Sequence, residues 1–148
     1  MNEALGFLLN DTARLFRRAM DERARVTGVT SLQWRMLARV ARAPGMRQNE
    51  LADLLEVEPI TVSRMIDRLV ESGLLERRSD PDDRRAWRIY LTTWSAPQLD
   101  TLRAIATEIR DEAFAGITNA QLAQMHDTLD AIRANLSRQK PQIGPNND

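Results

Sequence analysis

The chain has 148 residues, 43% hydrophobic and 28% charged, with 21 basic residues balanced by 21 acidic ones. That is the size and makeup of one ordinary globular domain, large enough to bury a core. It contains no cysteine and a single histidine, His126, which removes disulfides, thiolate metal sites and thiol redox chemistry and leaves no set of histidine ligands.

No apolar run approaches the ~18 residues of a membrane span. The first ten residues lack the basic flank and cleavage site of a signal peptide, so a cytoplasmic protein is expected. The zero net charge gives no overall attraction for nucleic acid. Yet every basic residue but Lys140 is an arginine, and arginine makes the planar, two-pronged contacts that suit phosphates and guanine edges. Skewed codon usage produces the same bias, so charge has to be judged by location.

Along the chain, Leu5, Leu8, Leu9, Leu15, Phe16, Ala19 and Met20 recur at helical spacing and form one apolar stripe. Thr30 with Gln33 three positions on is a capping-box pair. It opens a second helix through Trp34, Met36, Leu37 and Val40, which stops before the turn signal Ala43-Pro44-Gly45. Two short helices follow, Gln48 to Leu55 and Pro59 to Ser72, the second closed by Gly73. Leu74 to Arg78 and Ala86 to Leu91 read as strands around a polar loop from Ser79 to Arg85, which makes a β-hairpin. Helical periodicity returns with Leu99, Leu102, Ile105, Ile109 and Ala113. A last helix opens with the pair Thr118 and Gln121. Its apolar residues Leu122, Met125, Leu129, Ile132 and Leu136 alternate three and four apart, the spacing of helices that pack lengthwise on a partner.

The order α-α-α-α-β-β-α-α predicts a mainly α fold with a small β-hairpin. Residues 1–136 read as one unit, with dimerising helices at about 3–25 and 95–136 around a winged helix-turn-helix at about 31–92; 137–148 reads as a disordered tail. The end helices have little of their own domain to cover them. Two copies that interleave their ends explain this most simply.

Function concentrates in Asn49 to Gly73 and the hairpin after it. Leu51, Ala52 and Leu55 share one face of the first short helix, Val57 lies in the connection, and Val62, Ile66 and Leu69 line the buried face of the second. Ala52 supplies the small residue that steeply crossing helices need. Many such turns carry Gly where this chain has Glu56. Pro59 suits the first helical turn, and the outer face beyond it carries Thr61, Ser63, Arg64 and Arg68. Short hydroxyls and arginines at a helix start suit a reader of the DNA major groove. At the hairpin tip, Arg84 and Arg85 are placed to enter a minor groove. From Pro59 to Thr92 basic residues number seven and acidic ones six, so geometry matters here more than bulk field. At least one of the loop acids Asp80, Asp82 and Asp83 is better explained as an internal partner that orients an arginine.

With Leu32-Gln33-Trp34-Arg35, Ile60-Thr61-Val62-Ser63-Arg64, Leu69 to Gly73, and above all Asp80-Pro81-Asp82-Asp83-Arg84-Arg85 followed by Leu91-Thr92, the sequence resembles MarR-family regulators, and among them the SlyA-like branch. The resemblance runs from Leu5 to Leu136. It implies a triangular dimer held by the first, fifth and sixth helices, with two winged heads on a pseudo-palindromic operator in double-stranded DNA. It also implies repression or anti-repression tuned by small aromatic or anionic ligands. By position Asp83 and Arg85 match the family's wing acid–arginine pair, with Asp83 orienting the wing. Trp94 departs from the small residue usual just after the wing.

Trp34 reads two ways, as ordinary core and as lining of a ligand pocket beneath the dimer helices. Asp82 and Asp83 lie in a solvated loop without a nucleophile or cleft, and no phosphate-binding glycine loop occurs. No catalytic residue, metal or cofactor is expected. Two rivals to a sequence-specific regulator remain at this level, a winged module that docks on protein and an architectural DNA binder.

Overall fold

The structure, a computed structural model, describes residues 2–137. The chain divides into two compact units, Met1–Asp111 and Glu112–Asp148. The helices are α1 (Asn2–Arg25), α2 (Ser31–Arg42), α3 (Gln48–Leu55), α4 (Pro59–Glu71), α5 (Ala96–Ala113) and α6 (Asn119–Ser137). The strands are β1 (Met46–Arg47), β2 (Leu75–Ser79) and β3 (Trp87–Leu91), in the order β1-β3-β2. The expected tail, 137–148, lies outside the described residues except for Ser137, which ends α6. No helix among the described residues is long and apolar enough to cross a membrane.

Local chemistry sets several boundaries. Before α2, the Thr30 hydroxyl accepts the Gln33 amide at 3.3 Å and the Gln33 carboxamide accepts the Thr30 amide at 3.0 Å. Such a cap contributes about 1 kcal/mol. Between α3 and α4 the Val57 amide bonds the Ala52 carbonyl at 3.2 Å. The turn requires a left-handed residue, and Glu56 supplies it at φ 53° and ψ 44°, the one non-glycine with positive φ among the described residues. Glu56→Gly should therefore relieve strain and raise stability by about 0.5–1 kcal/mol. A urea midpoint that rises with unchanged slope checks this; a falling midpoint would mean that the Glu56 side chain stabilises the turn by more than its backbone strains it.

The hairpin runs two strands, paired antiparallel from Leu75 with Leu91 to Ser79 with Trp87. Both strands begin one residue later than the pattern suggests. Beyond the hairpin there is a further strand, β1, in which Met46 pairs with Ile89 and Arg47 with Arg88. A two-residue strand carries no periodicity to read. Gly45 makes this third strand possible: its amide bonds the Ile89 carbonyl at 2.9 Å, and an added Cβ would sit 2.7 Å from the Tyr90 hydroxyl.

The core of the first unit joins Met36, Leu37 and Val40 of α2 to Leu51, Ala52, Leu55, Val62, Ile66 and Leu69, with Leu75 and Ile89 from the sheet. Leu99, Leu102, Ile105 and Ile109 of α5 complete it. A 3₁₀ turn, Thr93–Ser95, leads into α5. Its Trp94 is 80% exposed, so a large residue at that position meets no packing constraint. In the second unit α6 buries none of its residues, and Met125, Leu129, Ile132 and Leu136 of its apolar line are all exposed.

Candidate nucleic-acid interface

The buried Val62, Ile66 and Leu69 turn the opposite side of α4 outward. Thr61, Arg64 and Arg68 are spaced three and four apart, so they form one exposed stripe. Ser63 is half-buried beside it, and the exposed Pro59 begins the helix. The helix is braced from behind by Arg77 of β2. Its Nη2 donates to the Asp67 carboxylate at 2.5 Å and to the Ser63 carbonyl at 3.5 Å, while Nε donates to Gln48 of α3 at 3.4 Å. On the far end of α3, Arg35 of α2 donates to the Leu55 carbonyl at 2.8 Å. The orientation of α4 is thus held by hydrogen bonds as well as by its core face.

The wing loop is tied to itself. The Asp80 amide bonds the Ala86 carbonyl at 3.1 Å, the Ala86 amide bonds the Asp83 carbonyl at 3.0 Å, and Asp83 Oδ1 accepts the Arg85 backbone amide at 3.0 Å. Asp83 is exposed, and its bond to Arg85 is to the main-chain amide. The internal acid is Asp80. Its side chain has no exposed surface, and Oδ2 accepts Arg47 Nε at 2.8 Å and Arg88 Nε at 3.0 Å. Oδ1 accepts the Asp82 amide at 2.8 Å. The Asp82 amide most of all, then the two guanidinium groups, hold the Asp80 carboxyl below the ordinary aspartate range against the opposing effect of burial. A depressed carboxylate stabilises the fold above its ordinary titration range and loses that contribution only as pH falls through the lowered value. The Asp80 carboxylate is therefore ionised at neutral pH.

Arginines around this surface fall into two groups. Arg47, Arg77, Arg78 and Arg88 are paired with Asp80, Asp67, Glu76 and Asp80 respectively, and Arg78 also lies 3.9 Å over the Tyr90 ring. Arg64, Arg68, Arg84 and Arg85 are exposed and enter no ion pair among the described residues. A groove of about 330 Å³ separates the start of α4 from the wing and brings Pro59, Asp83 and Arg85 together with Arg47, Gln48 and Trp87. Asp80 as the buried partner, and Arg47 and Trp87 as groove residues, were not singled out from sequence. For Asp80 the one signal was the surplus of loop acids; Arg47 and Trp87 had none.

Trp34 lies elsewhere. It is half-buried against the core, its Nε1 donates to Asp21 at 2.6 Å, and one side lines a cavity of about 340 Å³ with Met20, Ala41, Leu99 and Leu102. Arg42 and Arg103 also line this cavity. Among the described residues no cluster of three His, Cys, Asp or Glu side chains could hold a metal.

The family model described as MarR family matches residues 27–86, which span α2 through the wing loop. The transcriptional regulator PA3341 has a crystal structure similar to this one, with 33% identity over 91% of this chain and 99% of that chain at a TM-score of 0.79. The chain belongs to the MarR family. A MarR transcriptional regulator from Methanosarcina mazei Go1 is 26% identical, with 92% and 98% of the two chains covered and a TM-score of 0.76. A mutant MarR from E. coli complexed with operator DNA is 25% identical, with 87% and 93% covered and a TM-score of 0.67. The mainly helical fold with a small antiparallel sheet is the winged helix of MarR regulators, as the hairpin and helix order led one to expect.

Proposed function

We propose that this MarR-family chain is a cytoplasmic, sequence-specific regulator of transcription, a repressor or anti-repressor that grips duplex DNA as a homodimer. One observation carries the reading. The four arginines on the reading stripe and the wing tip, Arg64, Arg68, Arg84 and Arg85, are exposed without ion-pair partners among the described residues, while their neighbours are all engaged. Guanidinium groups that need not break an internal pair lose least when they meet phosphates and bases. The likeness to a MarR complexed with operator DNA supports the same reading. Residues 1–136 then act as one MarR-like unit, and the wing stretch Asp80 to Arg85 favours the SlyA-like branch.

Selection of genomic fragments by the purified protein, followed by footprinting, tests this. The site should be an inverted repeat with half-sites roughly 10–10.5 bp apart, centre to centre, since two-fold symmetry presents the same helix twice. Equal affinity for selected and random duplex would remove the sequence-specific reading.

Within the site the two elements have different roles. Arg64→Ala should relax base preference as well as weaken binding, because a bidentate base contact carries about 1–3 kcal/mol of discrimination. Arg85→Ala should weaken all sequences alike, sparing at most a preference for A/T flanks. Asp83→Ala should give a milder version of the same loss, because it frees the Arg85 backbone. Titrations against matched and mismatched duplexes separate these outcomes, and tighter binding by Asp83→Ala would reduce that carboxylate to a repulsive charge.

The cavity beside Trp34 joins an apolar wall to Arg42 and Arg103, the chemistry that suits a small aromatic acid. Such acids should weaken the DNA complex by preferring one conformation over the other. The check is a panel of them titrated against the preformed complex, with thermal stability followed in parallel. If neither quantity moves, this cavity is packing space and not a ligand site.

A further inference from the structure

Around Asp80 the charges do not balance. One carboxylate with no exposed side-chain surface meets two guanidinium groups, each about a third exposed (34%). Both arginines reach it through Nε and on the same oxygen, Oδ2, so neither bond occupies a terminal Nη group. From there the two diverge. Arg88 turns Nη1 onto the Gly45 carbonyl at 3.3 Å, which ties it into the sheet. Arg47 stands immediately before α3 and lines the groove between the start of α4 and the wing, with Gln48, Asn49, Pro59 and Arg85. The surplus positive charge is thus presented to the groove by Arg47.

We infer that Arg47 is a phosphate-binding residue, that the groove seats one backbone phosphate of the DNA between Arg47 and Arg85, and that Asp80 is the positioning residue for it. The inference rests on the DNA reading above and adds a contact outside the reading stripe and the wing tip. A long side chain normally loses rotamer freedom when it binds a phosphate. Asp80 has already imposed that order, and the buried carboxylate is itself held by the Asp82 amide. Asp83 also lines the groove, with its Oδ1 accepting the Arg85 amide. A phosphate contact of this kind positions the protein on the duplex and carries no sequence information.

The experiment is fluorescence anisotropy with two labelled duplexes, a fragment selected by the wild-type protein and a random sequence, from roughly 50 to 200 mM salt. Arg47→Ala should weaken both duplexes by the same factor and make the log–log salt slope shallower by about 0.9 for each phosphate no longer neutralised. Arg47→Lys should keep the slope. Asp80→Asn should weaken binding and flatten the slope although it removes a negative charge near DNA, and it should add no slope change in an Arg47→Ala background. An unchanged slope for Arg47→Ala, in a protein whose wild type binds, overturns the phosphate contact and leaves the regulator reading standing. Tighter binding by Asp80→Asn overturns the positioning role. Because Arg47 is partly exposed, its variants remain informative if Asp80→Asn fails to fold. A wild type that binds neither duplex at the lowest salt overturns the DNA reading, and this inference with it.

Discussion

Ile66→Ala is expected to destabilise the first unit by about 2–5 kcal/mol, the range for truncating a fully buried aliphatic side chain. Ile66 has no exposed surface and belongs to the core with Leu51, Leu55, Leu69 and Ile89. The lost methyl and methylene groups forfeit their transfer energy, and the cavity left behind closes only in part because helices α3 and α4 are also pinned by Arg77 and Arg35. Against a total stability of about 5–15 kcal/mol, that is a large fraction. Ile60 provides the control: it lies on the same helix, six residues earlier, with 59% of its surface exposed. Ile60→Ala should change stability by no more than about 0.5 kcal/mol. Urea unfolding of the two variants makes the comparison. Equal losses would mean that α4 does not bury the face assigned to it. DNA affinity of Ile66→Ala should fall only as the folded fraction falls, with an unchanged salt slope, since no phosphate contact is removed.

How much of this was legible in the sequence depends on the range of the interactions concerned. The capping pairs Thr30 with Gln33 and Thr118 with Gln121 work over three residues, and the structure forms both. The buried faces of α3 and α4 follow from spacing alone, and each apolar residue named on them is buried. Strand β1 is different. Its two residues gain their conformation from β3, more than forty positions away in Ile89 and Arg88, and nothing local announces that pairing. The turn at Glu56 shows a third case. Glycine is the cheap way to a left-handed residue, so its absence hid a geometry that the chain adopts regardless.

The candidate site divides along the same line. That Thr61, Arg64 and Arg68 share an outward stripe is a matter of helical period. Which of three loop acids turns inward is a matter of tertiary packing. Asp80 differs from Asp82 and Asp83 because strand pairing brings Arg47 and Arg88 opposite each other and places both guanidinium groups on its Oδ2. Asp82 contributes its amide to that cluster, and Asp83 its side chain to the Arg85 amide. The surplus of acids in a wing that has to approach DNA was the one sequence signal that some had internal work. It could not say which, because the deciding partner, Arg47, lies 33 residues upstream.

Leu129→Glu should convert the protein from a dimer to a monomer. Leu122, Met125, Leu129, Ile132 and Leu136 lie three and four apart along α6, and the last four are 38–66% exposed within a single chain. An apolar line of that length left open to water is costly, and in the proposed homodimer a second copy of the same line would cover it. In a single chain Leu129 is 40% exposed, so a carboxylate there meets solvent and costs the fold little. Across a symmetric interface two such carboxylates would be desolvated and face each other. Gln124→Glu adds the same charge to the same helix away from the line, and it should leave the dimer intact. Light scattering after size exclusion reads the mass, and circular dichroism confirms that helicity is kept. The consequence for DNA is larger than any single contact supplies. Two linked heads bind the second half-site intramolecularly, which strengthens binding by about 10²–10⁴-fold over one head. Leu129→Glu should lose that factor on an inverted repeat while a single half-site is bound as weakly as before. A Leu129→Glu protein that stays dimeric would move the interface elsewhere, and the exposed stripe of α1, with Leu5, Leu8 and Leu15, would be the next surface to charge.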